Sequence, residues 1–143
     1  MLEYRRRLPH FQPDDAYIFL TWRLYGSLPT IRIAGAYATP AHAFVAADRA
    51  LDRAAFGPQW LRDPRIAAAV IPNHVYLLIL PRVPVPAILR WLKSWTRQAN
   101  QLLGRSGKPF WQDESYDHWV RSPWQRERIV RFIEDNPVSA GLV

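Results

Sequence analysis

Cysteine is absent from this chain, so neither a disulfide framework nor a thiolate metal site can form. A reducing cytosol suits such a sequence. Long apolar runs are also lacking, none approaching the roughly 20 residues of a membrane-spanning helix, and the first nine residues are basic rather than apolar, unlike a secretory signal. A soluble cytoplasmic protein is expected, with no membrane partner. Acidic residues are outnumbered, 12 against 19 basic ones, which gives a net charge of +7 and an isoelectric point near 10.4. Cationic side chains neutralise phosphates and release condensed counterions, so nucleic acid leads the expected partners and a nucleoid association follows. What the chain does have in quantity is proline and tryptophan, 13 and 7 respectively. Its 143 residues suit one domain around one core.

Residues 1–16 are basic and punctuated by proline, and read as an arm or leading loop. Residues 17–24 alternate, with Ile18, Leu20, Trp22 and Leu24 on one face and Thr21 and Arg23 on the other, the pattern of a strand. Residues 26–29 turn the chain, and 30–39 are ambiguous between loop and short strand. Thr39 and Pro40 offer a cap and a first-position proline for a helix over 41–56, with Phe44, Ala47, Leu51 and Ala55 in one stripe before Gly57. A second strand is expected over 75–80. A second helix over 87–103 carries Ile88, Leu92, Trp95, Ala99 and Leu102 at alternating spacings of four and three, and Gly104 stops it. A third strand is expected over 116–121. Ser122, Pro123 and Gln125 combine an N-cap, a first-position proline and a capping-box glutamine for a third helix, which Pro137 should end near Asn136. The order β-α-β-α-β-α suits a small α/β sandwich.

Two pairs of residues bear on chemistry. Strand alternation puts His74 and Tyr76 on one face, where two imidazoles would grip a divalent metal ion but one imidazole and a neutral phenol would not. A lone strand histidine is more often structural than ligating. On the third helix, Phe132 and Asn136 are four apart and share a face. Phe132 reads most simply as a core residue beside Ile129 and Ile133. Basic residues gather at Arg5 to Arg7, on the polar side of the second helix (Arg90, Lys93, Arg97), and beyond it (Arg105, Lys108, Arg121, Arg126, Arg128, Arg131). Interleaved Trp91, Trp95, Trp111 and Trp119 offer faces on which unpaired bases stack, each worth on the order of 1–3 kcal/mol.

Residues 71–79, reading IPNHVYLLI, resemble the His-hydrophobic-His strand of the single-tyrosine HUH transposases, particularly the REP-associated tyrosine transposases, with Tyr76 where the second histidine falls. Residues 131–143, reading RFIEDNPVSAGLV, resemble that family's C-terminal helix, whose nucleophilic tyrosine falls at Phe132. The similarity also takes in residues 8–11, 56–65, the second helix through Arg105 and everything from Phe110 onward. It implies an α+β, ferredoxin-like HUH fold, an antiparallel sheet with helices packed on one face. It also implies metal-dependent cleavage and rejoining of single-stranded or hairpin DNA through a 5′-phosphotyrosine. Under it, His74 and Asn136 are metal residues for Mg or Mn, and Tyr76 marks a lost ligand, so metal binding should be weakened or lost. Phe132 marks a lost nucleophile, and without an oxygen that position cannot support covalent catalysis. Tyr116 is the substitute nucleophile to consider. Arg90, Lys93, Arg97, Arg105, Lys108 and Arg121 would contact DNA, and the family contains both monomers and homodimers.

The family usually has a longer stretch where this chain has residues 67–72, and a short tail beyond the position of Val143. An internal deletion and a shortened end are therefore expected, and with the two lost groups they describe a degenerate copy that retains DNA recognition at most. The alternatives are an active enzyme with a substitute nucleophile, a non-catalytic hairpin-binding module, and, on charge alone, an RNA-binding or membrane-surface protein.

Overall fold

The computed structural model describes residues 2–5, 9–28, 40–53, 57–59, 61 and 73–139. Among these the order is β1 (Leu2–Arg5), β2 (Pro9–Gln12), β3 (Ile18–Arg23), α1 (Pro40–Asp52), β4 (His74–Ile79), α2 (Val85–Leu102), β5 (Tyr116–Trp119) and α3 (Pro123–Ser139). Strands β4, β3 and β5 form an antiparallel sheet with β3 in the centre, and β1 and β2 form a separate hairpin. The antiparallel sheet and the α+β class are as expected. No described helix is long and apolar enough to cross a membrane.

The alternation in β3 decides what lies on each face of the sheet. Ile18, Leu20 and Trp22 are buried against Val85 and Leu89 of α2, with Val75, Leu77 and Ile79 of β4 closing the cluster. Each such aliphatic side chain contributes about 1.5–3 kcal/mol by leaving water. Leu24, past the end of β3, begins a second cluster with Leu61, Ala99 and Phe110. The helices, expected on one face, divide between two: α2 covers this apolar face, while α1 and α3 meet the other.

Helix α2 starts at Val85, two residues ahead of expectation, because Pro84 (ψ 132°) serves as its cap and Pro86 falls in the first turn, where no backbone donor is required. Its buried ridge is Val85, Leu89 and Ala99. Leu102, placed on the apolar stripe by spacing, is 53% exposed, since Leu103 takes its place against the second cluster. Gly104 stops the helix at φ 65° as expected, its N–H donating to Gln101 O.

The cap of α3 also forms as expected. Gln125 N donates to Ser122 Oγ at 3.1 Å, and Gln125 Oε1 accepts from Arg121 N at 2.8 Å. The helix does not end near Asn136, however, but continues through Pro137 to Ser139. Proline disfavours helical geometry in the residue before it without forbidding it, and Pro137 removes the bond that its position would donate to Ile133 O. Asn136 is buried, and its amide donates to Asp52 Oδ1 at 3.4 Å, a tertiary contact that holds the helical conformation.

The N-terminal segment is a hairpin rather than the expected arm, with β1 and β2 paired from Leu2 against Gln12 to Arg5 against Pro9. Docking on the β5 region explains it. His10 is buried between Glu114 (3.1 Å) and Asp117, Gln12 Nε2 donates to Asp117 Oδ2 at 3.0 Å, and Phe11 lies 5.6 Å from Trp119. Gly57 is required where it stands: its φ is 76°, and a Cβ there would collide with the carbonyl of Gly26. The ambiguous segment 30–39, the expected end of the first helix beyond Arg53, the expected deletion near 67–72 and the last residues, 140–143, lie outside the described residues.

Candidate functional site

The strand register gathers the polar face of the sheet. Arg23 pairs with His74, Thr21 with both Tyr76 and Tyr116, and Phe19 with Leu78 and His118. Residues directly opposite in a ladder share a face, so His74, Tyr76, Thr21 and Tyr116 all point away from the α2 core. Helix α3 lies over this face. The Phe132 ring stands 5.0 Å from the ring of Tyr76 and 6.3 Å from that of Phe19. One turn on, Asn136 reaches Asp52 at the end of α1. His74, Tyr76, Phe132 and Asn136, separated by up to 62 positions in sequence, thus meet in one place.

His74 is fully buried, and its neighbours fix its tautomer. Asn73 Nδ2 donates to the carbonyl of Leu51 at 3.0 Å, and a carbonyl can only accept. Asn73 must therefore turn its Oδ1 to His74 Nδ1, 2.6 Å away, which makes Nδ1 the protonated nitrogen. The lone pair is left on Nε2. Burial holds this imidazole neutral by pulling its pKa down to about 3. Nε2 has no hydrogen-bond partner, and Asp52 Oδ1 lies 3.5 Å from it. The other orphan here is Asn136 Oδ1, also buried and unbonded.

Tyr76 is committed elsewhere. Its hydroxyl donates to Asp48 Oδ1, and its ring lies edge-on to His74 at 4.7 Å and stacks on Phe19 at 5.9 Å. Burial, and then the Asp48 charge, raise the phenol pKa, so Tyr76 stays neutral. Asp48 is itself pushed up to about 6 by burial, against the opposing hydrogen bond from Tyr76. Burial raises Asp52 as well, against the lowering contact from Asn136. Neither aspartate was singled out from the sequence. Their signal was a spacing of four on a helix, which puts both on one face, flanking the inward Leu51.

Among the described residues no three His, Asp or Glu side chains converge on a metal-sized point. The donors at hand are one imidazole nitrogen, one carboxylate and one amide oxygen. Cis ligands on an octahedral ion with bonds of about 2.1 Å sit about 3 Å apart, closer than the 3.5 Å between His74 Nε2 and Asp52 Oδ1, and Asn136 turns its nitrogen rather than its oxygen to Asp52, so these residues do not form a metal-ligand set.

The remaining candidates scatter. Tyr116 is half-buried on β5, with Thr21 between it and Tyr76, a span of about 10 Å across two strand spacings. Burial and then Asp117 raise its phenol pKa. Lys93 Nζ donates to the carbonyls of Gln112 and Asp113, both at 3.1 Å, and so holds the loop before β5. Arg90, Lys108 and Arg121 are exposed, and Arg105 is half-buried. Arg121 lays its guanidinium 5.3 Å from the Trp119 ring. The side chains of Trp95 and Arg97 lie outside the described residues. Sequence reading also missed the start of α3 as an aromatic and cationic surface: Arg128 stands 4.7 Å over Trp124, which is 65% exposed, and Arg126 stands 5.4 Å over Tyr17.

No protein-family model matches the chain, and no curated protein does. Among solved structures, that of a REP-associated tyrosine transposase bound to a REP hairpin is similar to it, at 25% identity and a TM-score of 0.50, over 100% of this chain and 76% of that one. The antiparallel sheet and helices of the described residues are thus consistent with the fold of that transposase.

Proposed function

We propose that this chain is a transposase-type DNA-binding protein, one domain that holds hairpin or single-stranded DNA without bonding covalently to it. The observation that carries this reading is the full-length likeness to a transposase bound to a hairpin. Two features of the chain itself support it. The net charge of +7 favours a polyanion. Around the start of α3, Arg121 on Trp119, Arg126 on Tyr17 and Arg128 on Trp124 present flat cationic stacks suited to bases and phosphates together.

The missing covalent step follows from Phe132. Its ring sits against Tyr76, beside the polar cluster, where a phenol would have an attacking oxygen and Phe132 has none. On this reading the chain is a degenerate relative of the HUH enzymes that keeps recognition and lacks the nucleophile.

Fluorescence anisotropy with a labelled DNA hairpin, beside matched duplex and unstructured strands, tests the reading over a salt series. A preference for the hairpin that persists at physiological salt is expected. Weak binding that is equal for all three and vanishes with salt would reduce the chain to a basic surface, and a preference for RNA would move it to another class.

A further inference from the structure

The first turn of α3 hangs on one histidine of β5. The backbone N–H of Arg121 can only donate, so the atom of Gln125 that faces it at 2.8 Å is the amide oxygen. The amide nitrogen of Gln125 is thereby turned to His118, 2.7 Å from its Nε2. An amide nitrogen has no lone pair to offer, so His118 Nε2 must accept, and the ring proton sits on Nδ1. Neutral His118 thus completes a chain that runs from β5 through the Gln125 side chain to Arg121, while the Gln125 backbone N–H donates to Ser122 Oγ at 3.1 Å. An imidazolium would present Nε2–H to that same amide nitrogen, donor against donor. Turning the amide over would satisfy His118 but set the nitrogen against the Arg121 N–H, so a protonated His118 and this cap exclude one another.

We propose that His118 is a positioning residue for the nucleic-acid surface, a proton-sensitive latch that as a neutral acceptor holds the first turn of α3 and on protonation releases it. That turn carries Trp124, under Arg128, and Arg126, over Tyr17, and Arg121 on Trp119 precedes it. The titratable and charged groups around His118 are Tyr116, whose ring lies parallel to it at 6.5 Å, Asp117 and Arg121. Gln125 of α3 and Phe19, opposite on β3, are uncharged. Burial and then the Arg121 charge hold His118 below its ordinary value of 6.5, against the opposing pull of Asp117. A histidine held low in the latched state adds stability above 6.5; as pH falls below that value the released form takes up protons first, and the contribution is lost. Acid should therefore loosen the surface, whereas added positive charge by itself tightens the hold of a basic protein on DNA. The purpose of the latch rests on the DNA-binding reading, but its protonation is measured without DNA, so either can fail alone.

The test is a pH titration of the DNA-free protein followed by nuclear magnetic resonance of the imidazole nitrogens and the backbone amides. Neutral His118 should carry its proton on Nδ1 and titrate with a midpoint below 6.5, and the Arg121 amide signal should move with the same midpoint. Gln125→Glu supplies a carboxylate that can accept from the Arg121 N–H and from an imidazolium at once, and should bring the His118 midpoint above 6.5. Hairpin binding should weaken severalfold on acidification in the wild type and not in Gln125→Glu. Should Gln125→Glu not fold, His118→Gln, whose amide oxygen can take the bond from Gln125 without titrating, must abolish that weakening. A proton on Nε2 of neutral His118, a midpoint at or above 6.5, or an Arg121 amide indifferent to the titration would each overturn the latch. Hairpin binding by the wild type that tightens on acidification would overturn its part in positioning the surface.

Discussion

The two faces of the central sheet are built from alternate residues of the same strands and solve opposite problems. On one, Ile18, Leu20 and Trp22 meet Val85 and Leu89 of α2, and the contact is apolar apart from the indole nitrogens of Trp22 and Trp111, which are buried without a hydrogen-bond partner. On the other, His74 and Tyr76 meet Asp48 and Asp52 of α1 and Asn136 of α3, and two of the polar atoms there have no partner. A face that only held the fold would be built like the first. Burying carboxylates, an imidazole and an amide costs more than burying hydrocarbon, which is why the proposed site is sought on the second face rather than the first.

Substitutions should separate the two faces. Leu20→Ala, on the apolar face, should cost about 2–5 kcal/mol in denaturant unfolding, because the cavity would lie in the central strand. On the polar face, Tyr76→Phe should cost about 1–3 kcal/mol by leaving buried Asp48 without its donor. Ser122→Ala, outside both faces, should cost about 1 kcal/mol through the lost cap of α3. Asn136→Leu should cost about 1 kcal/mol, since it removes an orphan oxygen but also the amide that donates to Asp52. Arg128→Ala should leave stability unaltered, weaken hairpin binding severalfold for all sequences alike and flatten the salt dependence. If Asn136→Leu instead destabilised as much as Leu20→Ala, the contrast between the faces would be lost.

How much of this was legible in the sequence follows from the same contrast. Alternation gave β3 and β4 with the correct residues on each face, and the Ser122 and Gln125 cap located α3, because these signals act over a few residues. The hairpin was hidden, since three arginines and a proline read as an arm, and its stability comes from His10 meeting Glu114 and Asp117 more than 100 positions away. Pro137 misled for a related reason: a local preference was overruled by the contact of Asn136 with α1. At the site, His74, Tyr76, Phe132 and Asn136 were visible through their resemblance to a motif. Asp48 and Asp52 were not, because acids on a helix ordinarily mark its solvated side, and only the approach of α1 to β4 turns them inward.

Whether the polar face is, as proposed, a transposase-like site lacking its nucleophile is read from a denaturing gel of labelled hairpin DNA incubated with Mn²⁺ and each of two folded proteins. The wild type should leave the DNA free of covalently attached protein, and Phe132→Tyr combined with Tyr76→His should give a covalent adduct. An adduct with the wild type would mean that another tyrosine, Tyr116 first, attacks DNA, and no adduct with the folded double variant would mean that the polar face is not a site lacking only these groups.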